Sequence, residues 1–295
     1  MFYSIKNEYY TLTVSDMGAE LVSVRSKSDK ELMWQKSEGE KFWSSHAPIL
    51  FPVCGRLKDA EYSYGGVTYK MAAHGFAMRK LFKLKSSNDN SLVFSLGADA
   101  ETLAQYPFKF ELLAEYRLEG EEIIFKATVK NLDANTLPYM FGWHPGFALF
   151  TDGGQDIEDY TLDFGEGLDS LSWCPLQNGP FASETLVDYP LTDNKYKLCE
   201  KEIYENDTLI WFGHNNKVTL SADGHPYALD MSWSDNVPAL CIWKDNSNAA
   251  KYLCIEPWTG VPNNGVDKEN FERRKMERLY PGEKAEYAYK LKFKL

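Results

Sequence analysis

Long apolar runs are absent from the 295-residue chain, and no segment approaches the roughly 20 residues of a membrane-spanning helix. The opening Met1-Phe2-Tyr3-Ser4-Ile5-Lys6-Asn7-Glu8 has no basic segment followed by an apolar one, so a cytoplasmic chain is expected. Positive charge is in deficit, with 32 Lys and Arg against 43 Asp and Glu and a formal net charge of −11. That sign repels phosphate backbones and anionic lipid headgroups, which disfavours nucleic acid and membrane surfaces as partners. Cysteine is sparse: Cys54, Cys174, Cys199, Cys241 and Cys254 are odd in number, scattered and without a C-x-x-C pair. Reduced thiols are expected instead of a disulfide framework. None of His46, His74, His144, His214 and His225 stands at ligand spacing from another His or a Cys, so neither a metal nor another cofactor is expected. Helical periodicity is also scarce. Its best short instance is Ala100–Gln105, with Asp99 as N-cap and Pro107 as a stop.

What remains is ordinary globular composition, 44% hydrophobic and 25% charged, with a high aromatic share of 15% that favours strands. Apolar and polar residues alternate through Ala285, Tyr287, Tyr289, Leu291, Phe293 and Leu295, as in a half-buried strand. Gly65-Gly66 between Tyr62-Ser63-Tyr64 and Val67-Thr68-Tyr69 supplies the positive φ angles of a two-residue hairpin turn. Further hairpins are expected between 81–85 and 92–96 and between 108–118 and 123–129. Single strands are expected near 10–14, 21–25, 217–221, 228–233, 239–243 and 252–256. Strands without crossover helices point to a large antiparallel β-sandwich, read as one domain over residues 1–295. The segments 151–156 and 168–190 read as long connections, and the basic run 272–278 as a solvated loop or edge.

Three segments break the alternation with polar groups among glycine, proline and aromatics: His74-Gly75-Phe76-Ala77, Gly142-Trp143-His144-Pro145-Gly146 and Ile255-Glu256-Pro257-Trp258-Thr259-Gly260. Strand ends and loops of this kind commonly carry catalytic groups. Glu256 follows the apolar Leu253-Cys254-Ile255, and partial desolvation there would raise its pKa, as a general base near neutral pH requires. A buried Arg–Glu pair is the plainer alternative.

Together with Pro52-Val53-Cys54-Gly55-Arg56, these segments resemble the aldose 1-epimerase (galactose mutarotase) family, and within it the LacX-like branch. The resemblance implies an all-β galactose mutarotase-like supersandwich with a sugar site on the concave face of a large sheet. It implies Glu256 as catalytic base, His144 as catalytic acid, His74 as a second histidine near the ring oxygen, and Arg56 as a substrate-binding arginine. The segment Tyr204-Glu205-Asn206-Asp207 resembles the one that supplies an aspartate to sugar hydroxyls, with Asp207 the first choice and Glu205 the second. Phe76 is a further candidate contact, and Trp43, Trp143 and Trp258 can either stack on a sugar or pack the core.

A carboxylate and an imidazolium on either side of a pyranose hemiacetal suffice to take the anomeric proton and protonate the ring oxygen. The resemblance therefore implies interconversion of the α and β anomers of a hexose. Galactose mutarotases carry an asparagine before the substrate arginine, where Gly55 stands here, which puts galactose specificity in doubt. His74-Gly75-Phe76-Ala77-Met78-Arg79 also resembles the hexose-6-phosphate 1-epimerases, with Arg56 and Arg79 as candidate phosphate ligands. A non-catalytic sugar-binding protein is the remaining alternative. The expected partner is a small carbohydrate, and a monomer and a homodimer are both compatible with the sequence.

Overall fold

The computed structural model of the chain describes residues 1–39, 41–151, 154–245 and 250–295. The C-terminal alternation becomes the strand Lys284–Lys294, which buries Tyr287, Tyr289, Leu291 and Phe293 on one face and leaves lysines on the other. It is flanked by Glu122–Asn131 and Ala228–Trp233, so that Tyr289 lies opposite Phe125 on one side and Trp233 on the other. These strands lie within a nine-stranded antiparallel sheet that continues through Phe110–Glu119, Ser91–Gly97 and Lys83–Asn88 at one edge. Lys217–Ala222, Tyr160–Asp163 and Lys195–Lys197 complete the other edge.

A second antiparallel sheet of eight strands has Tyr252–Trp258 near its middle, paired with Ala239–Trp243 on one side and with Gly142–Trp143 and Gly146–Ala148 on the other. The main apolar core draws on both sheets. Trp143, fully buried, bridges them with its ring 4.8 Å from Phe125 and 5.4 Å from Tyr289. Burying a large apolar side chain in this way contributes roughly 1.5–3 kcal/mol, so Trp143 is a packing residue and not a sugar platform.

The helix Ala100–Gln105 forms as expected, because Asp99 accepts the Thr102 N–H at 2.7 Å while Thr102 Oγ1 accepts the Asp99 N–H at 2.8 Å. The glycine hairpin also forms, with φ of +58° and +76° at Gly65 and Gly66. Two expectations are corrected. The stretch 168–190 is not a bare connection: it holds the strands Ser170–Trp173, Leu176–Gln177, Phe181–Ala182 and Val187–Pro190. The run 272–278 is not simply solvated either. Arg274 donates to the carbonyls of Val261 and Pro262, and Arg278 donates to those of Phe271, Glu272 and Arg274. Of the segment 151–156, Asp152 and Gly153 lie outside the described residues. No helix among the described residues is long and apolar enough to cross a membrane.

Candidate active site

Period-two alternation in Tyr252–Trp258 sends Leu253 and Ile255 into the main core and puts Tyr252, Cys254, Glu256 and Trp258 on the opposite face of the sheet. On the next strand, Cys241 lies beside Glu256 in register, and Trp243 shares that face. The turn after Gly142–Trp143 brings His144 over the same face, its backbone N–H held by the Pro48 carbonyl at 3.1 Å. The result is a cavity of about 240 Å³ lined by Trp43, Arg56, His74, His144, Asp207, Trp243, Glu256 and Trp258, among others. That volume is below the roughly 300–1,000 Å³ of drug-sized ligand pockets and suits one small molecule.

Glu256 is 1% exposed and His144 8%, and His144 Nε2 lies 3.2 Å from Glu256 Oε2. Neither carboxylate oxygen nor His144 Nδ1 has a hydrogen-bond partner of acceptable geometry among the described residues. Buried polar groups are nearly always satisfied, so these three mark a place built to meet something else. Burial holds the Glu256 carboxyl well above the usual carboxylate range, with the Trp258 indole N–H opposing it. Burial likewise holds His144 well below the ordinary imidazole value, and His74 beside it acts in the same direction. The His144 ring is fixed by Trp43, stacked at 4.9 Å, and by Trp243, edge-on at 5.7 Å.

His74 adopts a left-handed backbone, φ +62°, and is followed by Gly75 at φ +72°. A Cβ on Gly75 would stand 2.1 Å from the Phe51 carbonyl oxygen, so only glycine lets this turn approach the Phe51–Pro52 segment. The His74 ring is half-buried, 5.7 Å from the His144 ring. Its Nδ1 accepts the Gly55 N–H at 3.2 Å, and from that bond a neutral ring carries its proton on Nε2. Desolvation first, and then Arg79 and Arg56, bring its pKa down to about 4.

The structure therefore brings together Glu256, His144, His74, Arg56 and Asp207, five of the residues singled out in the sequence. Two others lie elsewhere. Phe76 is in the main core, its ring edge-on to Phe51 at 6.0 Å, and does not line the cavity. Arg79 also stays out of the cavity, donating to the carbonyls of Gly75 at 2.9 Å and Ala73 at 3.4 Å. It braces the turn that carries His74. Glu205 lines only a shallower recess of about 400 Å³ that continues outward over Arg56 and Asp207. Trp243, Ile210 and Pro262 line the cavity without having been anticipated, because each belongs to unremarkable alternation or to a loop with no motif.

The aldose 1-epimerase family model matches residues 1–292, and the chain belongs to that family. Within it, the chain is 31% identical over 273 residues to the chromosomal protein LacX of Lactococcus lactis subsp. lactis, covering 88% of each. Among solved structures, a galactose mutarotase related enzyme from Lactobacillus acidophilus superimposes with a TM-score of 0.92 at 32% identity, over 100% of this chain and 98% of that one. A galactose mutarotase-like protein from Lactobacillus casei gives 0.91 at 27% identity, over 99% and 100%.

Proposed function

We infer that the protein is an aldose 1-epimerase that interconverts the anomers of a free hexose or related aldose. The observation that carries this is the pair His144–Glu256, 3.2 Å apart and unsatisfied at the floor of a cavity of one-sugar size. In the forward half-reaction Glu256 accepts the proton of the anomeric hydroxyl and His144 donates one to the ring oxygen. The C1–O5 bond breaks, and the electron pair of the anomeric O–H forms the aldehyde. Rotation about C1–C2 and the reverse transfers close the ring on the other face, so both groups return to their starting state. His74, with its proton on Nε2, positions the sugar oxygens, while Arg56 and Asp207 at the exposed end of the cavity hold the distal hydroxyls. Burial disfavours the charged form of each member of the pair, so the sugar's own hydroxyls supply the hydrogen bonds that let the charges separate.

A phosphorylated substrate is less well served. Arg56 is the one Arg or Lys side chain among the described residues lining the cavity, Asp207 lines it too, and Glu205 adds a second acid in the outer recess. Arg79 is engaged by backbone carbonyls. Gly55 does not leave room for an asparagine: its φ is +74°, and a Cβ there would stand 2.2 Å from Pro262 Cγ. The hydroxyl contact of galactose mutarotases is therefore unavailable from this position, and a galactose preference has no support here. The test is anomer exchange followed by polarimetry or saturation-transfer NMR across free and phosphorylated sugars. Exchange of free hexoses above hexose 6-phosphates is expected; the reverse order, or no exchange of any sugar, overturns the reading.

A further inference from the structure

No metal-ligand spacing runs along the sequence, but the fold brings together a set of potential ligands distant in the chain. His144, Cys254 and Glu256 bring their potential ligand atoms within 4.8 Å of one another, and all three side chains are buried. Cys254 and Glu256 are two residues apart on one strand and so share its face, while His144 arrives from the neighbouring chain segment. A second observation points to a ligand: Glu256 is 1% exposed, yet neither carboxylate oxygen has a hydrogen-bond partner of acceptable geometry among the described residues, the Trp258 indole being the one donor beside them that opposes burial.

We propose that this triad binds a thiophilic divalent cation, of which Zn²⁺ is the type, and that the bound ion inhibits the enzyme. One thiolate, one imidazole and one carboxylate are a donor set suited to Zn²⁺ or Co²⁺ and poorly suited to Mg²⁺ or Ca²⁺, which prefer oxygen alone. Zinc bonds of about 2.0–2.3 Å require the three donors to close by a small shift from their present spacing. His144 and Glu256 line the cavity, so water or another oxygen ligand would reach the ion from that side, as in zinc sites that keep one coordination place open. On binding, the Cys254 thiol and the Glu256 carboxyl release their protons to solvent. The two negative ligands then balance the two positive charges of the ion, leaving a buried complex with no net charge. The lone pairs of Glu256 and His144 that proton transfer needs are taken up by the metal. Inhibition rests on the epimerase reading; binding does not.

The experiment therefore separates the two. Chelator-treated full-length protein is titrated with Co²⁺, and a thiolate-to-cobalt charge-transfer absorption is expected, with Zn²⁺ displacing it and raising the melting temperature. Cys254→Ala should remove the absorption and weaken Zn²⁺ at least about 10-fold, and Cys254→Val, close to cysteine in shape and suited to a strand, serves as the second variant. Absence of the band in the parent, or its persistence in both variants, overturns the site whatever the enzyme catalyses. Given the band, Zn²⁺ should suppress anomer exchange in the parent and do so at least about 10-fold less effectively in the Cys254 variants. Equal sensitivity of parent and variants overturns the inhibitory role.

Discussion

Two ionisable pairs stand beside adjoining strands of the eight-stranded sheet, buried Lys244 with half-buried Glu200 and buried His144 with buried Glu256, and they are treated in opposite ways. Lys244, directly after Ala239–Trp243, is 2% exposed, and its Nζ lies 3.1 Å from Glu200 Oε1 while donating to the Tyr204 hydroxyl at 2.7 Å. Both partners belong to the helix Glu200–Asn206, which ends at Asp207 on the cavity. His144 and Glu256 are both buried, and beyond their mutual 3.2 Å contact and the Trp258 indole beside the carboxyl they have no comparable set of side-chain partners among the described residues. The first pair spends its charge on holding a helix in place. The second is left with unmet hydrogen-bonding capacity, which a substrate can use.

Breaking each pair should expose this difference. The largest effect is expected from Glu256→Gln and His144→Asn, which should each reduce anomer exchange about 10²–10⁴-fold with the fold retained by circular dichroism. Exchange at the parent rate in either variant removes that residue from the mechanism. Lys244→Met should instead cost about 3–5 kcal/mol in denaturant unfolding, as for removal of one partner from a buried ion pair. A loss under about 1 kcal/mol would show the pair to be no firmer than a surface one.

Stability sharpens the contrast in sign. The folded-state pKa of Glu256 is raised above its unfolded value, so its favourable contribution is complete below the unfolded value and is lost as pH rises through the folded one. Glu256→Gln does not suffer that loss, and its melting temperature relative to the parent should rise with pH. A difference that stays constant or falls contradicts an ionising Glu256 at this site.

Smaller effects test the surroundings. The pH profile of kcat/KM in chelated buffer should be bell-shaped, with limbs that belong to the coupled pair and not to either residue alone. His74→Asn should keep the bell at reduced height. Loss of one limb would make His74 the proton donor, and a profile flat from about pH 4 to 7 would exclude the pair altogether. The smallest change is expected from chelation, which should not lower the rate of otherwise untreated enzyme and should raise it only where an inhibitory ion occupies the His144–Cys254–Glu256 site; a loss restored by one divalent ion would overturn metal-independent catalysis.

The same contrast governs what was legible in the sequence. Long strands such as Lys284–Lys294 and Glu122–Asn131 show themselves by alternation, since one face must be apolar over many residues. Leu176–Gln177 and Phe181–Ala182 are too short to alternate, and Glu200–Asn206 buries one side chain, Ile203, which gives no period to read. His74, His144 and Glu256 stood out because polar residues among glycines and prolines interrupt the pattern. Trp243 and Cys254 did not, because an aromatic or a cysteine in a buried strand looks the same whether it faces the core or a cavity. Phe76 misled for the converse reason: it stands in the motif, yet only its neighbour His74 reaches the site.

The contact between Gly55 and Pro262 bears on how this site can change. Arg274 fixes the Pro262 loop through two carbonyls, so the proline ring cannot easily retreat from a side chain grown at position 55. Altering sugar preference at that wall is therefore not a single step. A side chain before Arg56 meets Pro262 and also the left-handed backbone at position 55, φ +74°, so a change there needs position 262 cut back first and a residue such as Asn that tolerates that backbone.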